Sequence, residues 1–217
     1  MIDIICPTLG RAGVLGPLAA NVAEVTKEDF YRLLFVVDHG DTATQDELRR
    51  LGADFVLCDG TYPAKSNAGY RRSDSEILAV IGDDVTFHAG WLDAALVEFE
   101  DSRVCLVGSD DLSPSTSTRA HATMPILRRT YCEDPGASWA LADAIYFEGY
   151  HHQYSETEIC GLAQHRGVWG WAEGCVIEHC HPDWGKREPD STDEKGQRQN
   201  VDQDRRLFIH RQKQWSR

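Results

Sequence analysis

The sequence has no run of apolar residues long enough to cross a membrane. A transmembrane helix needs roughly 20 consecutive apolar residues, and the apolar segments here are shorter and are interrupted by charged or turn-forming residues. The first residues, MIDIICPTLGR, also lack the basic segment and long apolar segment of a secretory signal peptide. We therefore expect no membrane span and a cytoplasmic location.

Positive charge is scarce. The chain has 22 Lys and Arg against 35 Asp and Glu, which gives a formal net charge of −13 at pH 7. A surface of this sign repels the phosphates of nucleic acids and of anionic lipids. We expect no nucleic-acid partner, and a phosphate-containing ligand would need a metal ion or a few placed Arg and Lys side chains.

The cysteines do not form the regular framework of a small secreted domain. There are seven of them, an odd number, spread along the chain, which favours a reducing compartment. The 217 residues, with 41% apolar residues and six Trp, are sufficient for one sizeable hydrophobic core. With no internal repeat and no clear linker, we predict one domain.

Short apolar segments alternate with helical patterns in the first half of the chain. Near-continuous apolar runs of this length are typical of strands that are buried on both faces. Between them, DTATQDELRRLG begins with Asp and ends with Gly, as helices do. The alternation predicts an α/β fold, a mostly parallel sheet flanked by helices. The predicted strands are 2–6, 33–38, 54–59, 76–82 and 103–109.

The pattern changes in the second half, which we expect to be a small mixed part. Residues 112–124 are polar and loop-like, and 156–167 predict a short helix. Residues 168–181 predict a hairpin that turns near Glu173–Gly174. Residues 183–217 are charged and poor in large apolar side chains, so we predict a mobile tail or an arm that lies over a neighbouring subunit of a homo-oligomer.

Polar residues follow the first two predicted strands. Ligands of open α/β sheets bind at the carboxyl ends of the strands, and Pro7, Thr8 and Arg11 lie at that position. Thr8 offers a hydroxyl, and Arg11 can pair with a phosphate or a base edge. Asp38 ends the second strand, where a carboxylate can accept hydrogen bonds from a ribose or a base. An ordinary strand-to-helix loop and a helix cap are the alternatives.

The segment TYPAKSNAGYRRS follows the third predicted strand. Lys65 and Asn67, together with Gly69, are candidates for contact with a diphosphate. Glycine permits a close approach, and helix N-termini favour anions.

Two adjacent carboxylates, Asp83 and Asp84, end the fourth predicted strand. Adjacent carboxylates repel each other, and a cation beside them offsets the repulsion. Mg²⁺ and Mn²⁺ take carboxylate oxygens and leave positions for phosphate oxygens. Because the pair lies on the same predicted edge as Thr8 and Asp38, we favour a metal site over a turn-and-cap pair.

The segments PTLGR, VVD, KSNAGYRRS and AVIGDDVTFHAGWL, in this order, resemble the GT-A fold glycosyltransferases of the family 2 type over about residues 1–110. The resemblance implies a GT-A (Rossmann-like) domain over 1–182, with a nucleotide-sugar-binding half at 1–110 and an acceptor half at 111–182. It also implies transfer of a sugar from a UDP- or GDP-linked donor to an acceptor hydroxyl, with Mn²⁺ or Mg²⁺ and with inversion. The acceptor, a protein or a small glycan, stays open.

The family's metal motif is usually D-x-D, and this chain has Gly82, Asp83 and Asp84 there. The resemblance makes Asp84 the metal ligand and places Asp83 beside the ribose or the metal.

The segment SETEICGLAQHRG is similar to the family helix that begins E-D-x-D. The resemblance makes Glu156 the base that deprotonates the acceptor, and Glu158 the second acidic residue, on the acceptor side. Favourable charge in the first turn of a helix is the alternative for both. Asp143 and Glu148 are rival candidates for the base.

The segment VIEHCHPDWGK resembles a late family segment in which a histidine reaches the metal or the diphosphate. His179 and His181 share one strand face, and one of them is predicted to complete the metal shell. A zinc site with Cys175 and Cys180 is an alternative, but this spacing is tighter than that of structural zinc motifs. A third interpretation is a histidine that packs in an aromatic cleft without binding a metal.

Trp169 and Trp171 are candidates for an acceptor platform, because aromatic rings stack on sugars, although Trp in a small domain is more often part of the core.

Two other functions stay open at this level. One is a nucleotidyltransferase, whose Gly-rich loop LGRAGVLG faintly resembles. The other is a non-catalytic module that binds a nucleotide or a carbohydrate.

Overall fold

One mixed sheet forms the centre of the protein. The computed structural model describes residues 1–190, 192 and 200–216, and eight strands in these ranges join in the order β3-β2-β1-β4-β7-β6-β8-β5. Pairing is parallel among β1 to β4 and between β6 and β8, whereas β7 and β5 run antiparallel to their neighbours. The predicted α/β class and mostly parallel sheet are confirmed. The strands are β1 (Ile2–Pro7), β2 (Tyr31–Val37), β3 (Asp54–Leu57), β4 (Ile77–Val80), β5 (Val85–Phe87), β6 (Leu106–Asp110), β7 (Ile126–Arg128) and β8 (Trp169–His179).

Helices cover both faces of the sheet, and their ends follow local sequence signals. Asp41 accepts a hydrogen bond from the Thr44 amide at the start of α2, and Gly52 ends that helix in the left-handed conformation. Thr61 caps α3 in the same way. The helices are α1 (Ala12–Val25), α2 (Thr42–Leu51), α3 (Tyr62–Arg72), α4 (Trp91–Glu98), α5 (Arg129–Glu133), α6 (Ser155–His165) and α7 (Val201–Trp215), with 3₁₀ turns at Glu28–Phe30, Pro114–Thr116 and Pro182–Trp184.

The sheet is buried on both faces, as its apolar runs predict. In β1, Ile4 belongs to one hydrophobic cluster and Ile5 to a second, because successive side chains of a strand point to opposite faces. Gly69 lets α3 approach β1 closely: a Cβ atom there would lie 2.4 Å from Ile5 Cγ2. Gly69 therefore serves helix–strand packing and not contact with a diphosphate.

The predicted hairpin over 168–181 is wrong. These residues form the single strand β8, which pairs with β6 along its first part and with β5 at its end. The pairing with β6 jumps from Gly108–Trp171 to Asp110–Val176, so Glu173 and Gly174 (φ 86°) lie in an irregularity of one strand. A turn residue followed by renewed alternation gives the same sequence pattern for a bulge as for a hairpin.

The predicted mobile tail is wrong for Val201–Trp215, which form α7 and bury Asp204, Arg211 and Trp215. Two of these three residues are charged, so the helix has no apolar stripe that the sequence could reveal. Residues 191, 193–199 and 217 of the predicted tail lie outside the described residues. Within the described ranges, no helix has the length and apolarity that a membrane crossing requires.

Candidate active site

A pocket opens at the carboxyl ends of β1 and β4, where the sequence predicts a ligand. Six of its lining residues are predicted site residues, and they come from the loops after these strands and from the first turn of α3. Segments distant in sequence complete the wall. The lining residues are Pro7, Thr8, Leu9, Arg11, Gly60, Thr61, Tyr62, Lys65, Gly82, Asp83, Asp84, His151, His152, Thr192 and Asn200.

Asp83 points inward to the loop after β1. Its carboxylate accepts a hydrogen bond from Thr8 Oγ1 at 2.7 Å and forms an ion pair with Arg11 Nη1 at 2.7 Å. Burial raises the pKa of Asp83, and Arg11 offsets part of that rise. Asp83 therefore holds Arg11 and Thr8 in place at the base of the pocket.

Asp84 lies beside one imidazole and two guanidinium groups. Its Oδ1 lies 3.2 Å from His179 Nε2, and its Oδ2 lies 3.1 Å from Arg187 Nη2 and 3.5 Å from Arg11 Nη1. Burial alone would raise the pKa of Asp84, but the imidazole and the two guanidinium groups hold it well below its usual range. These groups favour the ionised carboxylate, which is the form that binds a metal.

The donors around Asp84 fit a hard divalent cation whose shell a substrate completes. At a metal–ligand distance of about 2.1 Å, neighbouring ligands of an octahedral shell lie roughly 3 Å apart, and Asp84 Oδ1 and His179 Nε2 are 3.2 Å apart. The other ring nitrogen of His179, Nδ1, is buried and has no hydrogen-bond partner among the described residues. No three metal-ligating side chains of these residues already form a cluster, so the remaining positions would fall to phosphate oxygens and water.

His181 lies behind His179 in a group of aromatic rings. The centroid of its ring is 5.1 Å from that of His179 and 5.2 Å from that of Trp184, and its Nδ1 accepts a hydrogen bond from the Asp183 amide at 3.2 Å. His179 is thus the better placed of the two predicted histidine ligands.

The zinc alternative receives no support from the described residues. Cys175 belongs to the hydrophobic core, where burial raises its pKa to about 12. Cys180 instead lies 3.5 Å from Thr86 Oγ1.

The segment after β8 closes over the loop after β1. Asp190 forms two contacts with Arg11, at 2.9 and 3.2 Å, and Thr192 Oγ1 donates to the Leu9 carbonyl at 3.0 Å. Sequence reasoning missed Arg187 and Asp190, because the composition of this segment is typical of a solvated tail.

Two residues predicted to bind the nucleotide sugar are engaged with protein groups. Lys65 Nζ lies 2.7 Å from Asp38 Oδ2 and donates to the Thr8 carbonyl at 2.9 Å, so Lys65 and Asp38 form a pair at the pocket wall. The prediction for Asn67 does not fit its position. It is 1% exposed, and its amide group bonds to the backbone of Ile145 and Tyr146 and to Glu148.

Glu156 lies in the first turn of α6, behind the pocket residue Tyr62. Burial raises its pKa to about 7, although hydrogen bonding, including that from Ser155 Oγ, lowers it in part. A carboxylate with a pKa near 7 is suited to accept a proton at neutral pH. Glu156 itself does not line the pocket, and its link to the pocket is its interaction with Tyr62. The rivals Asp143 and Glu148 are both exposed.

Glu158 is not placed to bind an acceptor. It is 0% exposed and forms an ion pair with Arg211 of α7, with Nε–Oε2 at 2.6 Å and Nη2–Oε1 at 2.8 Å. Tyr150 Oη and the Trp139 amide donate to the same carboxylate. Its position follows from burial between α6 and α7, which the spacing of acidic residues does not reveal.

The two tryptophans pack against β6. A Cβ atom on Gly108 would lie 2.7 Å from the ring of Trp169 and 2.8 Å from that of Trp171, and Trp169 Nε1 donates to the Arg119 carbonyl. Neither residue lines the pocket. Trp169 packs against the core, and the acceptor platform stays a prediction.

His151 and His152 line the pocket without having been predicted. The polar-aromatic stretch YHHQY directly before α6 is the signal that could have identified them.

Similarity to solved structures identifies the fold. A mannosyltransferase of Pyrobaculum calidifontis in complex with GDP-Man and Mn²⁺ matches with a TM-score of 0.65 and 16% identity, over 85% of this chain and 58% of that chain. Glucosyl-3-phosphoglycerate synthase of Mycobacterium tuberculosis, in complex with Mn²⁺, uridine-diphosphate-glucose and phosphoglyceric acid, matches with a TM-score of 0.62 and 12% identity, over 97% and 79%. The same enzyme with Mg²⁺ and uridine-diphosphate matches with a TM-score of 0.61 and 12% identity, over 96% of this chain and 76% of that chain.

The chain therefore has the GT-A fold of nucleotide-sugar glycosyltransferases, as predicted. It spans less than two thirds of the length of the Pyrobaculum enzyme. No protein-family model and no curated protein matches its sequence.

Proposed function

We propose that this protein is a metal-dependent glycosyltransferase that moves a sugar from a UDP- or GDP-linked donor to an acceptor hydroxyl. The observation that carries the proposal is the composition of the pocket at the carboxyl ends of β1 and β4. An ionised Asp84 lies beside His179 and two guanidinium groups, and Glu156, with a pKa of about 7, lies behind Tyr62. The groups around Asp84 would hold a metal ion and a diphosphate. Glu156 would take the proton of the attacking hydroxyl.

The fold supports a nucleotide sugar as the donor. Proteins of the same fold have been solved with GDP-Man and with uridine-diphosphate-glucose. Their bound Mn²⁺ or Mg²⁺ agrees with the oxygen and nitrogen donors of Asp84 and His179 here. The overall charge of −13 makes such local cations necessary for holding a diphosphate.

Asp84 and His179 would hold the metal ion, with His181 as the alternative to His179. When bound, the ion neutralises charge on the diphosphate and favours its departure. Arg11 and Arg187 lie within 3.5 Å of Asp84, so the same diphosphate would find guanidinium donors beside it. Guanidinium groups match phosphate oxygens in geometry as well as in charge.

Glu156 accepts the proton of the acceptor hydroxyl as the new glycosidic bond forms. General base catalysis of this kind contributes on the order of 10² to 10⁴ in rate. Attack from the face opposite the leaving diphosphate inverts the anomeric carbon, and NMR of the product's anomeric proton tests that part of the proposal. A soluble protein or a small glycan is the proposed acceptor class.

Ligand-induced stabilisation tests the donor site. With Mn²⁺ and UDP or GDP at about 100 times Kd, binding raises the free energy of unfolding by roughly 2.7 kcal/mol, which is about 5–11 °C in Tm for a chain of this size. Asp84→Asn removes the part of the shift that requires Mn²⁺. Asp93→Asn, on the first turn of α4 outside the pocket, is the matched control and keeps it.

Turnover tests the base. With a panel of UDP- and GDP-sugars, Glu156→Gln retains donor binding and loses 10² to 10⁴ in donor consumption. Full activity in Glu156→Gln would mean that another group is the base. Pyrophosphate release from a nucleoside triphosphate and a sugar phosphate would instead point to a nucleotidyltransferase.

A further inference from the structure

His152 lies in the same pocket as the proposed metal ligand Asp84. It lines the cavity together with Asp84 and Tyr62, and its ring centroid is 5.2 Å from that of Tyr62 at an angle of 61°. Tyr62 interacts in turn with Glu156, and Asp84 acts electrostatically on His152. His152 thus shares the pocket with the proposed metal ligand and contacts the tyrosine that neighbours the proposed base.

The imidazole of His152 is available to a ligand. None of the described residues forms a hydrogen bond with its ring, whereas its backbone amide and carbonyl are bonded to Asp204 and Ser155. Burial lowers the pKa of His152, so the ring is neutral at pH 7. A neutral imidazole offers one donor and one acceptor, which suits a hydroxyl group better than a phosphate.

The C-terminal helix fixes the backbone of this loop. Asp204 of α7 is 0% exposed and accepts hydrogen bonds from the amides of His151, His152 and Gln153, each with a contact at 3.0 Å. The ring of His151 makes a fourth contact at 3.0 Å. A loop held by a buried carboxylate at three successive amides has little freedom to move its side chains.

We infer that His152 hydrogen-bonds a hydroxyl of the transferred sugar, and that Asp204 acts through the loop 151–153 as the positioning residue for that contact. The inference rests on the proposed function, because the sugar ring must lie between the leaving diphosphate and the attacking hydroxyl. It adds a sugar-recognition residue, and it gives α7 a role in catalysis as well as in packing.

The test compares binding of a nucleotide sugar with binding of the nucleoside diphosphate alone. His152→Phe keeps a ring against Tyr62 and removes both hydrogen-bonding nitrogens. With Mn²⁺, its Kd for UDP or GDP stays within twofold of wild type, its Kd for UDP-glucose or GDP-mannose rises at least fivefold, and donor consumption falls at least tenfold. His152→Gln, which retains a donor and an acceptor, recovers part of both losses. His210→Ala, on the exposed face of α7, is the control histidine.

Asp204→Asn tests the positioning role, with the exposed Asp202→Asn as its control. We expect weaker binding of the nucleotide sugar and unchanged binding of the nucleoside diphosphate, because the loop loses its anionic acceptor. A uniform loss of both ligands would show that Asp204 is merely structural.

Two outcomes overturn the inference, and they differ from failure of the proposed function. Wild-type affinity for the nucleotide sugar in His152→Phe contradicts the sugar contact, and so does an equal loss of nucleotide sugar and nucleoside diphosphate in both His152→Phe and His152→Gln. If wild type itself binds a nucleotide sugar and neither transfers nor hydrolyses it, the proposed function fails.

Discussion

At the scale of single residues, two adjacent aspartates have opposite surroundings. Burial raises the pKa of Asp83, whose carboxylate lies between Thr8 and Arg11. His179 and the guanidinium groups of Arg11 and Arg187 lower the pKa of Asp84. One carboxylate therefore organises the loop after β1, and the other remains an anion at the pocket wall. The pair is explained by this division of roles, and their mutual repulsion is offset by Arg11, which contacts both.

The raised pKa of Glu156 gives a pH prediction at the same scale. The base must be deprotonated, so donor consumption rises about tenfold per pH unit below its pKa of about 7 and levels off above it. In Glu156→Gln, the residual rate loses this ascending limb. The measurement is kcat/KM from pH 5 to 9 at saturating Mn²⁺, and an identical limb in the variant would mean that the titrating group lies elsewhere.

The same shift has a consequence for stability. Because the folded pKa lies above the unfolded value of 4.5, the folded state binds more protons between these values, and its stability falls as pH rises through them. Glu156→Gln removes this loss, so the stability of the variant relative to that of wild type is higher at pH 8 than at pH 5, as urea denaturation at the two pH values measures.

At the scale of elements, α7 is joined to α6 by a buried ion pair. Arg211 and Glu158 are 8% and 0% exposed, and their contacts measure 2.6 and 2.8 Å. The Arg211 guanidinium also lies 3.8 Å from the centroid of the Phe147 ring. A pair this well buried is costly to break, because the remaining charge loses its counter-ion and has little water to replace it.

Arg211→Met should lower the free energy of unfolding by about 3–5 kcal/mol, since it leaves the Glu158 carboxylate buried without a counter-ion. Urea denaturation measures the loss, and hydrogen exchange shows whether α7 opens first. Arg205→Met, at an exposed position of the same helix, should stay within about 0.5 kcal/mol. Adding Glu158→Gln to Arg211→Met should recover part of the loss, and a single-variant loss below about 1 kcal/mol would contradict the buried pair.

At the scale of the whole molecule, the first half of the fold could be predicted and the closure of the site could not. The continuous apolar runs of β1 to β4 indicate strands buried on both faces, and the carboxyl-edge rule then brings Thr8, Asp83 and Asp84 together. No local pattern shows that Arg187 contacts Asp84 from 103 positions away, or that Lys65 pairs with Asp38. The buried charges of α7 look like solvated residues until their partners are known.

Arg11 and Arg187 bring positive charge to the pocket of a molecule that is acidic as a whole. The protein has a net charge of −13. The guanidinium groups near Asp84 are held in place by ion pairs with the acidic neighbours Asp83 and Asp190. A diphosphate that entered with a divalent cation, as proposed, would meet both signs of charge there. This is the physical basis for expecting nucleotide and metal to bind together and not separately.

The most direct measurement is anomalous diffraction from crystals grown with Mn²⁺ and UDP or GDP. We predict a manganese peak within about 2.3 Å of an Asp84 carboxylate oxygen, with His179 beside it and the diphosphate completing the shell. A bound nucleotide without manganese at Asp84, or an Asp84 carboxylate that remains paired with Arg187 and His179 while both ligands are present at saturation, would contradict the proposed site.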